Sequence, residues 1–182
     1  MEIIKTPIPD LVIIKPRVFS DARGFFFETY NEKTYQEAGI NLHFCQDNQS
    51  KSSYGVIRGL HYQLNPHSQS KLVSVVLGAV WDVAVDLRAA SPTFGQWYGV
   101  ELTEENHLQF LIPQGFAHGF SVISETAVFS YKCDNFYSPT LERGIMYNDP
   151  ALAIDWKIPA DKAVISDKDM KHRLFADADM NF

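Results

Sequence analysis

Alternating apolar and polar positions run through the middle of the chain and predict a protein built almost entirely from short β-strands. The alternation is clearest over residues 80–88. One face is expected to carry Trp81, Val83, Val85 and Leu87, and the other Asp82, Ala84, Asp86 and Arg88. Turn-rich segments separate further predicted strands at residues 71–77, 96–102, 108–112, 116–123 and 126–133. Many short strands with such spacing indicate an all-β sandwich or barrel.

The N-terminal part of the chain is less regular. Residues 11–19 are apolar, but Pro16 interrupts them and removes a backbone donor, so we expect an edge strand or an arm that reaches outside its own sheet. Such an arm, if exchanged, would favour a dimer. Residues 25–30 are rich in aromatic side chains and predict a buried strand.

Three further segments depart from the strand pattern. Asn31 is expected to cap a short helix that runs to Ala38, and Gly39 is placed to end it in the left-handed conformation. Residues 44–50 turn from apolar to amide-rich, a composition that favours a solvated loop over a hydrogen-bonding rim. The charged tail at residues 165–169 is expected to be a solvated helix or loop.

Composition bounds the class of protein. The 182 residues suit a single domain spanning 1–182, and 46% hydrophobic content with 13% aromatic residues excludes a disordered chain. A net charge of -6 argues against nucleic-acid or membrane-surface binding. The N-terminus lacks the apolar core of a signal peptide, and the apolar run at 75–81 is too short to span a bilayer, so a cytoplasmic protein is expected. Cys45 and Cys133 lack metal-site spacing and are expected to be free thiols.

The strand-like segment around His61 is the strongest candidate for a site. In a flat strand His61 would share a face with Ile57, and Arg58 would point the other way. A bulge at Gly59 would turn Arg58 toward the same cavity as His61.

Titratable side chains are unusually frequent within the predicted strands. They are His61, Lys71, Asp82, Asp86, His118 and Tyr131. A metal site is disfavoured because no second histidine follows His61 on its strand, and no Ser or Cys lies in a nucleophile elbow. A histidine base, a cation for a developing oxyanion and a tyrosine acid together favour proton exchange beside a carbonyl.

Several motifs in order along the chain resemble the dTDP-4-dehydrorhamnose 3,5-epimerase family. They are Arg58-Gly59-Leu60-His61-Tyr62-Gln63, Lys71-Leu72-Val73, residues 81–88, Ser91-Pro92-Thr93-Phe94-Gly95 and residues 113–120. The resemblance extends from Arg23 to Asp169. It implies a cupin-type jelly roll, a homodimer with exchanged N-terminal arms of about residues 1–20, no metal and no organic cofactor. The implied reaction inverts C3 and C5 of dTDP-4-keto-6-deoxyglucose, giving dTDP-4-keto-rhamnose for rhamnose biosynthesis.

The same resemblance implies roles for individual residues. His61 corresponds to the base, Asp169 to the carboxylate that orients it, Lys71 to the cation at the enolate oxygen and Tyr131 to the acid on the other face of the sugar. Tyr137 corresponds to an aromatic that stacks on thymine. The remaining implied substrate contacts are Arg23, Glu28, Gln46, Asp47, Asn48, Arg58, His118, Glu142 and Lys168, of which Arg23 and Glu28 would serve the partner's site.

Two kinds of alternative remain open at this point. A relative that inverts only C3, or a related ketoisomerase, would also keep His61. A non-catalytic nucleotide-sugar binding module on the same fold would be expected to lack His61, Lys71 or Tyr131, and all three are present.

Overall fold

Two antiparallel β-sheets face each other in the computed structural model, which describes residues 1–182. The strands are β1 (Glu2–Lys5), β2 (Val12–Lys15), β3 (Phe19–Asp21), β4 (Gly24–Phe26), β5 (Gln46–Ser53), β6 (Ile57–Gln63), β7 (Lys71–Leu77), β8 (Ala79–Asp86), β9 (Trp97–Thr103), β10 (Gln109–Ile112), β11 (Phe116–Val122), β12 (Thr126–Cys133) and β13 (Glu142–Gly144). One α-helix, α1 (Glu32–Glu37), and three 3₁₀ helices, at Ala160–Lys162, Asp169–Lys171 and Phe175–Asp177, complete the elements. None of these helices is long and apolar enough to cross a membrane.

The larger sheet has the strand order β1-β2-β10-β7-β12-β5, and the smaller has the order β13-β6-β11-β8-β9. Strands β3 and β4 pair only with each other, as a separate ribbon. Neighbours in each sheet are mostly distant in sequence, which is typical of a jelly-roll sandwich. The predicted all-β, cupin-type fold with a few short helices is confirmed.

Two apolar clusters hold the sandwich together. Val73, Phe110, Phe120 and Phe129 belong to the inner core cluster of 16 buried residues between the sheets. A second cluster of 10 buried residues includes Val83, Val85, Leu152 and Trp156 and covers the outer face of the smaller sheet with the C-terminal segment. Each large side chain fully buried in this way contributes about 1.5–3 kcal/mol. The predicted alternation along β8 is confirmed, since its odd-numbered residues face outward and Ala84 faces the inner core.

A β-bulge interrupts β6 beside the candidate site. His61 pairs with His118 of β11 and Arg58 pairs with Phe120, so two residues of β6 oppose one residue of β11. Gly59 takes a φ of 126°. This is a conformation that L side chains rarely adopt, so the bulge forms where the sequence supplies a glycine.

The bulge decides which side chains converge. It rotates Arg58 onto the inner face that also carries His61, as the sequence predicts for a bulge at Gly59. Ile57 instead packs in the outer cluster, so the expectation that Ile57 shares a face with His61 is wrong. A side chain at position 59 would meet the Cα of Gly119 at 2.5 Å, and the two strands therefore approach closely only with glycine here.

Residues 25–30 do not form a buried strand. Strand β4 ends at Phe26, and the side chains of Phe25 and Phe26 are 61% and 67% exposed. The prediction fails because the β3–β4 ribbon pairs with neither sheet, and although Phe25 contacts His107 with ring centroids 4.6 Å apart, no layer of this chain covers the other faces of Phe25 and Phe26. Aromatic content indicates that a segment tends to be buried, but it does not identify the surface that covers it.

Residues 46–53 form a strand and correct the expectation of a solvated loop. All eight residues of β5 pair with β12, so the backbone groups on the β12 side of this amide-rich edge strand are satisfied by the ladder. The expected edge strand is not at the edge of its sheet, since β2 lies between β1 and β10. Pro16 does not interrupt this pairing because it falls just after the last residue of β2.

The prediction of helix α1 is confirmed. The Asn31 side chain accepts a hydrogen bond from Thr34 N, and Gly39 has a φ of 86°.

Candidate active site

A cavity of about 230 Å³ opens between the two sheets, with polar side chains from both. Its lining residues are Gln46, Asn48, His61, Tyr62, Gln63, Gln69, Lys71, Tyr131, Cys133, Tyr137 and Glu142. His61 and Gln63 come from β6 in the smaller sheet. Lys71 and Tyr131 come from β7 and β12 in the larger sheet, so groups of different chemistry approach one space from opposite sides.

Behind His61 lies the carboxylate of Asp169. His61 Nε2 is 2.8 Å from Asp169 Oδ1, and the Gly59 backbone N–H donates to Asp169 Oδ2 over 3.3 Å. Asp169 begins a 3₁₀ helix and is only 4% exposed, which corrects the expectation of a solvated tail. Burial alone would raise the pKa of Asp169, but the imidazoles of His172 and His61 outweigh it and hold that pKa well below its usual range.

This contact fixes the state of His61. An ionised carboxylate only accepts hydrogen bonds, so His61 Nε2 carries the proton and Nδ1 is left with a free lone pair. His61 is 30% exposed, and its ring borders the cavity. The arrangement suits a general base whose basic nitrogen is Nδ1.

On the opposite sheet, Lys71 presents a cation in a partly enclosed place. Burial lowers the pKa of Lys71, while the neighbouring Cys133, Asp82 and Glu142 act against that shift. Cys133 sits directly across the β7–β12 ladder from Lys71. Burial also raises the pKa of the Cys133 thiol to about 11, so it remains protonated near neutral pH.

Tyr131 projects from β12 and packs against the inner core. Burial raises the pKa of Tyr131, so its phenol keeps its proton. Arg58, which the bulge brings to the inner face, donates from Nε to Ser52 Oγ over 3.0 Å. Its charge acts on Tyr131 in the direction that lowers the phenol pKa, which indicates that the two side chains are neighbours.

His118 and Asp82 form a second histidine–carboxylate pair beneath the cavity. His118 Nε2 lies 3.0 and 3.1 Å from the two carboxylate oxygens of Asp82, and both side chains are almost completely buried. Burial raises the pKa of Asp82 and lowers the pKa of His118. Because His118 pairs with His61 across β6 and β11, this second pair supports the strand that carries the candidate base.

A chain of polar contacts lies at the cavity mouth. The Tyr137 hydroxyl donates to Glu142 Oε2 over 2.8 Å, and Lys168 Nζ donates to the same oxygen over 2.6 Å. The Tyr137 ring is 52% exposed and offers an apolar face to solvent. Gln46 Oε1 accepts a hydrogen bond from Tyr137 N over 3.2 Å and so ties the loop to β5.

A family model described as dTDP-4-dehydrorhamnose 3,5-epimerase matches residues 5–177. The chain belongs to this family. It is 54% identical over 180 residues to the dTDP-4-dehydrorhamnose 3,5-epimerase of Shigella flexneri, covering 98% of each chain. The crystal structure of the Elizabethkingia anophelis enzyme of the same name aligns with a TM-score of 0.93 and 59% identity, covering 97% of each chain. The 3,5-epimerase of Legionella pneumophila, solved in complex with dTDP-4-keto-L-rhamnose, aligns with a TM-score of 0.94 and 52% identity over 98% of this chain and 94% of that one.

The fold brings most of the residues suggested by the 3,5-epimerase resemblance to one place. Seven of them line the cavity, namely Gln46, Asn48, His61, Lys71, Tyr131, Tyr137 and Glu142. Asp169, Arg58, His118 and Lys168 stand behind or beside these groups through the contacts described above.

Three predicted residues do not reach the cavity of this single epimerase chain. Asp47 points away from it and forms an exposed ion pair with Lys132 at 2.9 Å. Arg23 lies on the β3–β4 turn, and its side chain contacts only Asp21. Glu28 accepts a hydrogen bond from Asn31 on the outer side of the larger sheet.

The contacts of some site residues could not be predicted from the sequence. Gln63 bonds to three backbone groups of two loops and thereby holds the 134–138 loop beside the cavity. The sequence identified Asp82 only as a titratable residue in a predicted strand, and the alternation along β8 gave no way to pair it with His118. His172 stands beside Asp169, and a lone histidine in a charged tail carries no local pattern.

Proposed function

We propose that this protein inverts C3 and C5 of dTDP-4-keto-6-deoxy-D-glucose to give dTDP-4-keto-L-rhamnose, the epimerase step of dTDP-L-rhamnose biosynthesis. Membership of the family and the product named in the Legionella complex support the substrate class. The observation that carries the mechanism is that His61 and Tyr131 line one cavity from two opposite sheets. Inversion requires a proton to leave one face of the sugar and to return on the other.

Proton removal falls to His61. A ketone at C4 acidifies the hydrogens at C3 and C5 because the resulting charge is delocalised onto the ketone oxygen. His61 Nδ1 takes the proton, and the imidazolium that forms is stabilised by the Asp169 carboxylate 2.8 Å from Nε2. Asp169 itself stays ionised, in keeping with its depressed pKa.

The charge that develops on the ketone oxygen needs a cation in place. Lys71 lines the cavity from the larger sheet and is partly withdrawn from water, where a charge acts more strongly than in bulk solvent. A preorganised donor of this kind is worth about 3–4 kcal/mol of transition-state stabilisation.

Tyr131 returns the proton to the opposite face. Its raised pKa keeps the phenol protonated until the enolate forms, and its position on β12 places it across the cavity from β6. Arg58, close to Tyr131, would stabilise the phenolate left after proton transfer. Solvent exchange then restores both residues before the second carbon reacts.

The nucleotide end of the substrate belongs at the mouth. We assign the exposed face of Tyr137 to stacking on the thymine ring, since an aromatic face 52% open to solvent can accept a base at little cost. Gln46, Asn48, Glu142 and Lys168 surround it and offer donors and acceptors for the base and sugars.

A homodimer with exchanged N-terminal arms forms part of the same proposal. Phe19, Phe25 and Phe26 on the β3–β4 ribbon are all more than half exposed, and large apolar side chains left uncovered together mark an interaction surface. Arg23 and Glu28 lie near that ribbon and away from the cavity, which fits a role at the partner's site. Arg23→Ala should therefore weaken substrate binding, and Phe26→Ser should shift the molecular mass by light scattering from dimer to monomer.

The proposal is tested by proton NMR of dTDP-4-keto-6-deoxyglucose and the protein in deuterated water. Deuterium at both C3 and C5, together with a product that a downstream reductase converts to dTDP-rhamnose, is the expected result. Exchange at C3 alone would make the protein a single epimerase, and binding without exchange would make it a nucleotide-sugar binding module. We place the reaction in the cytoplasm, where the free thiols of Cys45 and Cys133 stay reduced.

A further inference from the structure

Three metal-ligating side chains converge behind the cavity, and the epimerase chemistry uses only two of them. His61, Asp169 and His172 each offer a ligand atom, and these atoms lie within 4.8 Å of one another. No other group of three such side chains converges in the chain. We infer that this triad binds a divalent transition metal, Zn²⁺ being the expected ion, and that the bound metal inhibits the enzyme.

His172 is held in place by the fold rather than by a hydrogen bond. Gly144 of β13 lies directly across the strand pair from His61, and a Cβ at Gly144 would collide with the His172 imidazole. The adjacent bridge between Ile145 and Arg173 fixes the backbone on either side of this contact. The absence of a side chain at Gly144 therefore creates the space in which the second imidazole stands beside the first.

His172 Nε2 has an unused bonding capacity. It is buried, and its contact with Asp169 Oδ1, 3.3 Å away, is too poorly aligned to count as a full hydrogen bond, although it still lowers the pKa of Asp169. Buried polar atoms in native proteins are almost always paired, so an unpaired imidazole nitrogen that faces a carboxylate calls for an explanation. A neutral imidazole nitrogen of this kind is a good ligand for Zn²⁺.

Two of the three ligand separations are close to those around a tetrahedral ion, and the third, between the two imidazoles, is at most 4.8 Å. Bonds of about 2.0–2.1 Å to nitrogen and oxygen place neighbouring tetrahedral ligand atoms roughly 3.3 Å apart. The His172–Asp169 separation is already 3.3 Å, and the His61–Asp169 separation of 2.8 Å needs to open only slightly. Three protein ligands leave the fourth position for water.

Metal binding would remove the base. A neutral imidazole carries one proton, and when Nε2 of His61 bonds to the metal that proton must reside on Nδ1. The nitrogen that faces the substrate then has no free lone pair. The inhibition therefore rests on the proposed role of His61, whereas metal binding itself does not.

The test compares the wild-type protein with His172→Gln. Glutamine is close in length and its amide can still donate to Asp169, but it is a poor ligand for Zn²⁺. A matched control is His43→Gln, which alters a surface histidine 3.2 Å from Glu32 that forms only a two-ligand pair. Binding is read from the visible absorption of Co²⁺ added in place of Zn²⁺, and inhibition from epimerase turnover in buffered Zn²⁺, both with thiols kept reduced.

The expected result is stoichiometric Co²⁺ binding with a tetrahedral-type spectrum, and Zn²⁺ inhibition that a chelator reverses. His172→Gln should weaken both by about 10- to 100-fold or more, since even outer-shell changes at metal sites cost that much, and His43→Gln should weaken neither. Equal metal sensitivity in wild type and His172→Gln, or no Co²⁺ spectrum in the wild type, would overturn the inference. If the protein proved not to be an epimerase, the Co²⁺ spectrum would still decide whether the site exists.

Discussion

Asp169→Asn is the sharpest test of the candidate base, because the structure dictates how the amide must turn. In the native chain one carboxylate oxygen faces His61 Nε2 at 2.8 Å and the other accepts from the Gly59 N–H at 3.3 Å. An asparagine offers one oxygen and one NH₂ group in place of two acceptors. The backbone N–H of Gly59 cannot change, so the amide oxygen must face it and the NH₂ group must face His61.

That orientation imposes the wrong tautomer on the base. Because the NH₂ group of the new amide donates toward it, His61 Nε2 must accept a hydrogen bond. The imidazole proton then moves to Nδ1, the nitrogen on the cavity side. Holding the native tautomer instead would leave two donors opposed in a buried place, at a cost of about 1–3 kcal/mol. The corresponding change in serine proteases lowers kcat by about 10⁴-fold. We expect a loss of about 10³- to 10⁴-fold in kcat, or about 4–5.5 kcal/mol.

Deuterium incorporation at C3 and C5 and full turnover should both fall by this amount. KM should stay nearly constant, because Asp169 is not among the residues that line the cavity. Asp155→Asn is the matched control, since Asp155 is an exposed carboxylate paired with Lys157 and should tolerate the same chemical change. An Asp169→Asn enzyme within tenfold of wild type would refute the assignment of Asp169 as the group that sets the His61 tautomer.

Three further outcomes follow from the same geometry. Tyr131→Phe should retain deuterium exchange while inversion falls at least tenfold by NMR, and equal losses in both would contradict the two-face assignment. Lys71→Met should lower kcat by about 10²- to 10³-fold. Because burial lowers the pKa of Lys71, the wild-type rate should begin to decline with rising pH at a pH lower than the ordinary lysine pKa of about 10.4. Lys71→Arg should move that decline to higher pH. Hydrogen bonds from Arg88 and its neighbours outweigh burial and lower the pKa of Asp86 to about 2. Asp86 should therefore lend stability that is fully present above about pH 4 and is lost as the pH falls through about 2. Asp86→Asn should cost about 2 kcal/mol in urea unfolding at pH 7 and much less at about pH 1.5.

The strands that the sequence predicted best have one face on the inner core and the other face in a clearly different environment. Along β8 the period of two is unbroken, because both faces are covered by different apolar clusters. It failed at residues 25–30, where aromatic side chains lie outside the sandwich, and at β5, where an amide-rich segment is a strand because β12 supplies its hydrogen bonds. Both errors have the same cause. Whether a segment is buried or forms a strand depends on the segment that packs or pairs with it, and its own composition does not identify that partner.

The candidate site was likewise predicted only in part. Residues carried on strands, such as His61 and Lys71, could be found from their place in the pattern and from the family motifs. Their partners could not be found from the pattern, since Asp169 lies 108 positions beyond His61 and reaches it through a 3₁₀ helix with no periodic signal. Asp82 is a carboxylate closer to His61 in sequence, but it pairs with His118 instead.

The two-sheet architecture itself explains why this cavity suits inversion rather than simple exchange. The proposed base, His61, lies on the smaller sheet with Asp169 behind it, while the proposed acid, Tyr131, and the proposed cation, Lys71, lie on the larger sheet. A substrate lying between the sheets presents one face to each, so neither proton donor nor acceptor needs to move around the ring. The Gly59 bulge completes this arrangement, because without it Arg58 would face the outer cluster and its charge would no longer act on Tyr131 from the inner face. A variant in which β6 lacks the bulge at Gly59 should therefore lose inversion, which needs the proton to return, more than deuterium exchange, which needs only its removal.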